Sequence, residues 1–225
     1  MIYKVVNFIF VMHNIVDKLI SIEKEIQEKS DKTKVIAVSK TFSMKEILPL
    51  INHGHKDFGE NKVQEAEIKW NKIKDKYKKI QLHMVGGLQS NKAKKAVKLF
   101  DYIHSLDNDR LATKISQHEK ELNKKTKLFI QINMGDEGQK SGIKLNMLDD
   151  FYNHCTNKLS LNIVGLMCLP PMEKGSNKYF KLLFETAMKL NLKELSMGMS
   201  SDYLNATKNL ATYVRIGSNI FGQRF

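Results

Sequence analysis

Two spacings alternate along this chain. Short apolar or β-branched runs recur, and longer stretches with helical spacing lie between them. The short runs are VIAVS (Val35–Ser39), KDFGE (Lys56–Glu60), QLHMVG (Gln81–Gly86), YIHSL (Tyr102–Leu106), LFIQIN (Leu128–Asn133), IVGLMCL (Ile163–Leu169), ELSMGM (Glu194–Met199) and YVRIG (Tyr213–Gly217). Each has the length and residue types of a strand. The stretches between them read as helices. SMKEILPLINHG opens with Ser43 as N-cap and Glu46 three residues on, the spacing of a capping box. It closes at Gly54, the residue type that accepts the left-handed conformation after a helix. NKVQEAEIKWNKIKDKY sets Val63, Ala66, Ile73 and Tyr77 near one face. SNKAKKAVKLF, NDRLATKISQHEKEL, NMLDDFYNHCTN, SNKYFKLLFETAMKL and SDYLNATKNL follow in turn.

Eight strands, each but the last followed by a helical stretch, predict a parallel sheet. Eight close naturally into a (β/α)8 barrel of the TIM type. A doubly wound open sheet is the alternative, and it suits about five or six strands better. After the last strand only SNIFGQRF remains, too little for a full eighth helix. A helix over roughly His13 to Lys29 is available to cover that gap. The apolar opening, MIYKVVNFIFVM, is interrupted by Lys4 and Asn7. It reads as the lead-in to this helix, with residues 1–12 a loosely attached extension. Three prolines and no Gly/Ser-rich linker leave one domain, residues 1–225, as the simplest division. No second β domain is expected.

Charge changes the picture less than its size suggests. The formal net charge is +13. Such a surplus generally favours nucleic acid or an anionic membrane as partner. Here nearly all the positive charge is lysine, and arginine occurs only as Arg110, Arg215 and Arg224. The lysines are spread over the predicted helices among Glu and Asp. RNA readers depend on arginine forks and exposed aromatics, and neither clusters here. Nucleic acid is therefore not an expected partner. The apolar opening is shorter than the about 20 residues a membrane span needs. It also lacks a small-residue cleavage site, so neither membrane insertion nor secretion is expected. Cys155 and Cys168 sit outside any CxxC spacing and fit a reducing, cytoplasmic compartment.

In a barrel of this kind chemistry sits at the C-terminal ends of the strands. The first strand ends at Ser39-Lys40, the second at Gly59-Glu60-Asn61, and the third runs into GGLQSNK. The seventh ends at Gly198-Met199-Ser200-Ser201 and the eighth at Arg215-Ile216-Gly217-Ser218. The loops after strands seven and eight are where barrels often hold a phosphate. GMSS runs into a helix whose first turn exposes N–H groups. RIGSN offers Gly217 for close backbone approach and the Ser218 hydroxyl. The plainer alternatives are a tight turn at Gly217 and a helix cap at Ser200. Lys40 at a barrel mouth in partly apolar surroundings loses its proton more readily, because desolvation disfavours the ammonium. The neutral amine attacks carbonyls; the plainer alternative is a lysine snorkelling from a strand end. An amine facing a phosphate cup points to a phosphorylated aldehyde, of which pyridoxal 5′-phosphate (PLP) is the common one. Arg215 falls where a partner for the pyridine nitrogen is wanted, and Asn61 is placed to bond the ring.

These residues carry a resemblance. AVSKT, FGENKVQE, LQSNKAK, QIN…G…KSGI, GLMCLPP, LSMGMSSDY and VRIGSNIFG resemble the signature segments of the pyridoxal phosphate homeostasis protein family. They run in order from about residue 35 to the end of the chain. The resemblance implies a fold similar to the barrel domain of alanine racemase. It implies that Lys40 carries PLP as a Schiff base and that Asn61 flanks the cofactor. Arg215 then lies near the pyridine nitrogen, and Ser200, Gly217 and Ser218 bind the phosphate with Met199 beside them. Gly87 departs from the family pattern, which more often has Pro or His, and CLPP begins with Cys168. The implied role is PLP homeostasis without turnover, holding or buffering PLP and supplying it to apo PLP-dependent enzymes, as a monomer. An arginine beside the pyridine nitrogen weakens the ring as an electron sink, and no second domain is expected to supply a base. The rivals are a racemase-like PLP enzyme, with His83, His104 or Lys140 as acid–base group, a basic nucleic-acid-binding protein, and a barrel aldolase using Lys40.

Overall fold

A computed structural model describes residues 2–135, 141–171 and 175–222, with side chains from residue 14 onward. Every expected strand is present, and its ends lie within two residues of the pattern's. They are β1 (Lys34–Val38), β2 (Asp57–Glu60), β3 (Gln81–Met84), β4 (Tyr102–Leu106), β5 (Lys127–Ile132), β6 (Asn162–Cys168), β7 (Glu194–Met199) and β8 (Tyr213–Ile216). Each pairs in parallel with its successor, and β8 pairs with β1, which closes the barrel. Closure excludes the open doubly wound sheet. Successive side chains on a strand point to opposite faces, so each strand serves two cores. Ile36, Val38, Tyr102, Phe129, Met167 and Tyr213 pack together in the lumen. The larger core fills the space between strands and helices.

The helices are α1 (Ile2–Gln27), α2 (Met44–His53), α3 (Val63–Lys74), α4 (Ala93–Leu99), α5 (Asp109–Leu122), α6 (Leu148–Asn153), α7 (Asn177–Lys189), α8 (Tyr203–Lys208) and α9 (Ser218–Phe221). The capping box of α2 forms: the Ser43 N–H donates to the Glu46 carboxylate at 2.7 Å, and Gly54 follows at φ 99°. As the short tail foretells, α9 is a single turn. α1 stands in the space an eighth helix would fill, packed on α2, α8 and α9. Its buried Ile15, Leu19, Ile22 and Ile26 recur at spacings of four, three and four, one stripe of a helix. It begins at Ile2 rather than near His13, so the apolar lead-in is itself helical.

Two helical expectations need correction. α3 stops at Lys74, so Tyr77 lies beyond it, and Trp70 rather than Ile73 is fully buried. Trp70 faces the sheet because its indole N–H donates to Glu60 at 3.0 Å. The helix expected after β5 is helical throughout but not of one pitch. A tight turn (Leu145–Met147) leads into α6, and a wide turn (His154–Lys158) follows, closed by the Leu159 N–H on the His154 carbonyl at 3.1 Å. Among the described residues no helix is long and apolar enough to cross a membrane, and no His/Cys/Asp/Glu group is arranged to hold a metal.

Candidate functional site

A cavity of about 1090 Å³ opens where the strands end. Lys40, Asn61, Met199, Ser200, Arg215, Gly217 and Ser218 all line it. Residues from four separate strand ends thus meet around one space, although 178 positions separate the first from the last.

Lys40 is half-buried and follows β1 directly. The backbone on both sides of it is pinned. Before it, the Ser39 N–H donates to the Gly59 carbonyl at 2.9 Å and the Ser39 hydroxyl to Glu60 at 2.8 Å. After it, Thr41 takes φ 70°, and its N–H donates to the Glu65 carboxylate. Lys69, reaching back from α3, joins the two sides. Its ammonium lies 2.7 Å from Glu60 and 2.9 Å from Glu65, and donates to the Ser39 carbonyl at 2.8 Å. Burial raises the Glu65 carboxyl, but hydrogen bonds from Lys69 and Thr41 and the charges of Lys69 and Lys62 bring it below its ordinary range. A Cβ on Gly86 would meet the Asn61 carbonyl at 2.5 Å, so the loop after β3 closes over Asn61 only with glycine there. Gly87 lines the cavity with open space at its Cβ position.

The opposite wall comes from β7 and β8. The Met199 N–H donates to Asp202 at 2.7 Å, and the Asn219 amide donates to the Ser200 carbonyl at 3.0 Å. Asn219 thereby ties the loop after β7 to α9. Gly198 sits at φ 88°, and a Cβ there would meet that of Ala206 at 2.4 Å. Gly217 has φ −117°, outside the left-handed region, and a Cβ there would come 3.3 Å from the Val38 carbonyl. Its glycine therefore eases the close passage over β1 rather than a left-handed turn. Arg215 is buried and donates to the Ser196 hydroxyl at 2.7 Å and to the Cys168 carbonyl at 3.0 Å. Burial lowers its pKa, offset in part by Cys168 and Asp202, yet arginine stays a cation in proteins.

Asn133 stands at the end of its expected strand, whereas Gln131, inside β5, is not legible in the sequence as a lining residue. Gln131 and Asn133 are held by residues 141–143, which fold back along β5. The Gln131 amide donates to the Ser141 carbonyl at 3.1 Å, and the Asn133 N–H donates to the Ile143 carbonyl at 3.0 Å. Gly142, at φ 127°, makes this possible, because a Cβ there would lie 2.6 Å from the Asn133 nitrogen. The glycine of KSGI was the available signal. Phe42 stacks on Phe221 at 4.7 Å, and the exposed Leu169 and Met199 give the rim an apolar edge. His83 and His104 do not line the cavity; both are fully buried in the lumen. Lys140 lies outside the described residues.

The family described as alanine racemase, N-terminal domain, matches residues 17–224. The pyridoxal phosphate homeostasis protein of Synechocystis sp. is 36% identical over 200 residues, covering 85% of this chain and 91% of that protein. Its Escherichia coli K12 namesake is 31% identical over 226 residues, covering 95% and 97%. Among solved structures, PipY of Synechococcus elongatus with PLP bound superposes with a TM-score of 0.84 at 32% identity, covering 92% of this chain and all of that one. Alanine racemase of Clostridium difficile shares the fold, with a TM-score of 0.72 at 14% identity, over 94% of this chain and 57% of that one.

Proposed function

The chain belongs to the pyridoxal phosphate homeostasis protein family, and on that premise we propose that it binds PLP at its barrel mouth and holds it for supply to other proteins, without turnover of its own. The observation that carries this reading is the meeting of Lys40, Arg215, Ser200 and Ser218 around one cavity. The volume is ample for a ligand of this size, and the donors suit it chemically. Lys40 brings an amine for the aldehyde, the serines bring hydroxyls for the phosphate, and Arg215 brings N–H groups for the ring nitrogen. When bound, PLP supplies an aldehyde that amines capture reversibly. Lys40 would hold PLP through its amine, as a Schiff base, with water the only other product of that capture. Asn61 flanks the ring, Met199 sits beside the phosphate, and Gly217 lets the backbone approach it. An arginine donates only, so the ring nitrogen it faces is held as an acceptor, a weak electron sink.

That last point separates a carrier from a racemase. Racemisation needs a second acid–base group over the ring. Among the described residues lining the cavity, only Lys40 and Arg215 ionise. Supply to apo-enzymes, action as a monomer and a cytoplasmic location complete the reading.

Purified protein given PLP is expected to show a visible imine band. Borohydride reduction followed by mass spectrometry should place a pyridoxyl adduct on Lys40. Lys40→Ala should lose band and adduct but keep measurable PLP affinity through the phosphate contacts. Ser218→Asp should weaken binding further, by setting a carboxylate against the phosphate. Absence of any imine band at saturating PLP overturns the reading; a clear racemisation rate shifts it to the enzyme. A salt-dependent gel retardation assay addresses the +13 charge, and no shift is expected.

A further inference from the structure

Five polar side chains form one unbroken line through the lumen. Asp57 stands at the first residue of β2 and lines a second cavity of about 380 Å³ at the rear of the barrel. Its carboxylate lies 3.0 Å from Nε2 of His83. Nδ1 of His83 lies 2.9 Å from Nε2 of His104. Nδ1 of His104 lies 2.8 Å from the Ser196 hydroxyl, which crosses the lumen from β7. Ser196 then accepts from Arg215 at 2.7 Å, and Arg215 lines the mouth.

Donor and acceptor rules allow one arrangement of protons with both rings neutral. A carboxylate only accepts, so His83 carries its proton on Nε2. Its Nδ1 then accepts, so His104 is also protonated on Nε2. His104 accepts at Nδ1, and the Ser196 hydroxyl donates there. The Ser196 oxygen is left to accept from Arg215, which only donates. Every donor in the line points toward the rear, and every contact is satisfied. A further proton on either ring would set two donors face to face or strip the Ser196 hydroxyl of its acceptor. Burial lowers both imidazoles below their ordinary value, partly opposed at His83 by Asp57 and reinforced at His104 by His83 and Arg215. Lys34 and His55 also act on Asp57, Asp101 and His55 on His83, while Tyr102 and Tyr213 pack against both rings.

Arg215 needs such support. It is 5% exposed, and among the described residues no carboxylate lies within ion-pair distance of it. Buried charges are ordinarily paired. Among the described residues, the only anion its hydrogen bonds reach is Asp57, four links away. We propose that Asp57, His83, His104 and Ser196 are positioning residues for Arg215, a one-way line that fixes the guanidinium and turns its remaining N–H groups to the mouth. The consequence for the ligand rests on the PLP reading above; the line itself does not.

Imidazole ¹H–¹⁵N correlation spectra of the PLP-free chain test the line directly. At neutral pH both His83 and His104 are expected as neutral rings protonated on Nε2. A cationic ring, or a proton on Nδ1 of either, overturns the proposal. The second arm compares Ser196→Ala, Ser196→Thr and Asp57→Asn loaded with PLP. Ser196→Ala should weaken PLP binding about tenfold and move the visible band; Ser196→Thr should restore both. Asp57→Asn, which keeps an acceptor but loses the charge, should move the band in the same direction. An unchanged band and affinity in Ser196→Ala, at wild-type thermal stability, also overturns it. Should the wild type take up no PLP, the PLP reading alone falls, and the proton positions in the PLP-free chain still decide the line.

Discussion

Lys69 and Glu60 form a nearly dry ion pair against Ser39, the residue before Lys40. Their side chains are 10% and 0% exposed, and the pair also holds Ser39 and Trp70. Replacing Lys69 with Met would leave Glu60 buried without its cation. Loss of one partner from such a pair costs about 3–5 kcal/mol, and urea denaturation should read it. The same change removes the bond to the Ser39 carbonyl and the cation beside Glu65, so PLP uptake should slow or weaken alongside. The two cysteines are inert for a simpler reason. Burial pushes both thiols up to about 12, Cys168 despite the nearby Arg215. A thiol reagent should therefore leave the native protein unlabelled and label both after unfolding. At this scale the sequence placed Lys40 and Arg215 at the cavity, because strand ends are legible and both stand there. It was opaque where a residue type contradicts its place. Lys69 sits in a charge-rich helix that reads as solvated, and only the fold reveals that it turns inward. Asn219 and Gln131 were equally hidden, because their partners come from loops, Ser200 after β7 and Ser141 after β5.

Elements were the most legible level, because strand length and helix punctuation are local properties. Ser43, Glu46 and Gly54 bound α2 by chemistry alone. Ser43→Ala should cost about 1 kcal/mol, seen as a lowered thermal midpoint with the same fold. α1 makes a stronger demand. Leu19 is fully buried in its stripe, and Tyr203 of α8 donates to Glu25 at 2.6 Å. Leu19→Ala should destabilise by about 2–5 kcal/mol, well beyond any effect on α1 as an isolated helix. Comparable loss in urea would show that α1 is an integral wall of the barrel. Where the pattern failed, long-range packing overruled it. α3 ends early because Trp70, not Tyr77, closes its contact with the sheet. The helix after β5 widens over His154–Lys158, where Cys155 is buried.

For the whole molecule, the two lumen imidazoles predict how stability follows pH. Their folded-state values lie below the ordinary 6.5. The unfolded chain therefore takes up protons first as pH falls. Stability should be full above about 6.5 and decline below it, and denaturation at a series of pH values should show the slope. His104→Gln should flatten that slope even if it lowers stability throughout. The closed ring has a last consequence. Its final seam joins β1 to β8, and beside it Thr33 bonds Ala211 and Glu25 bonds Tyr203, each across 178 positions. Contacts so distant form late. A ribosome making this polypeptide delivers the amine early and the two serines near the end of synthesis. Until β8 emerges and joins β1 the two halves of the pocket have not met, so the cavity is complete only once the last strand is in place.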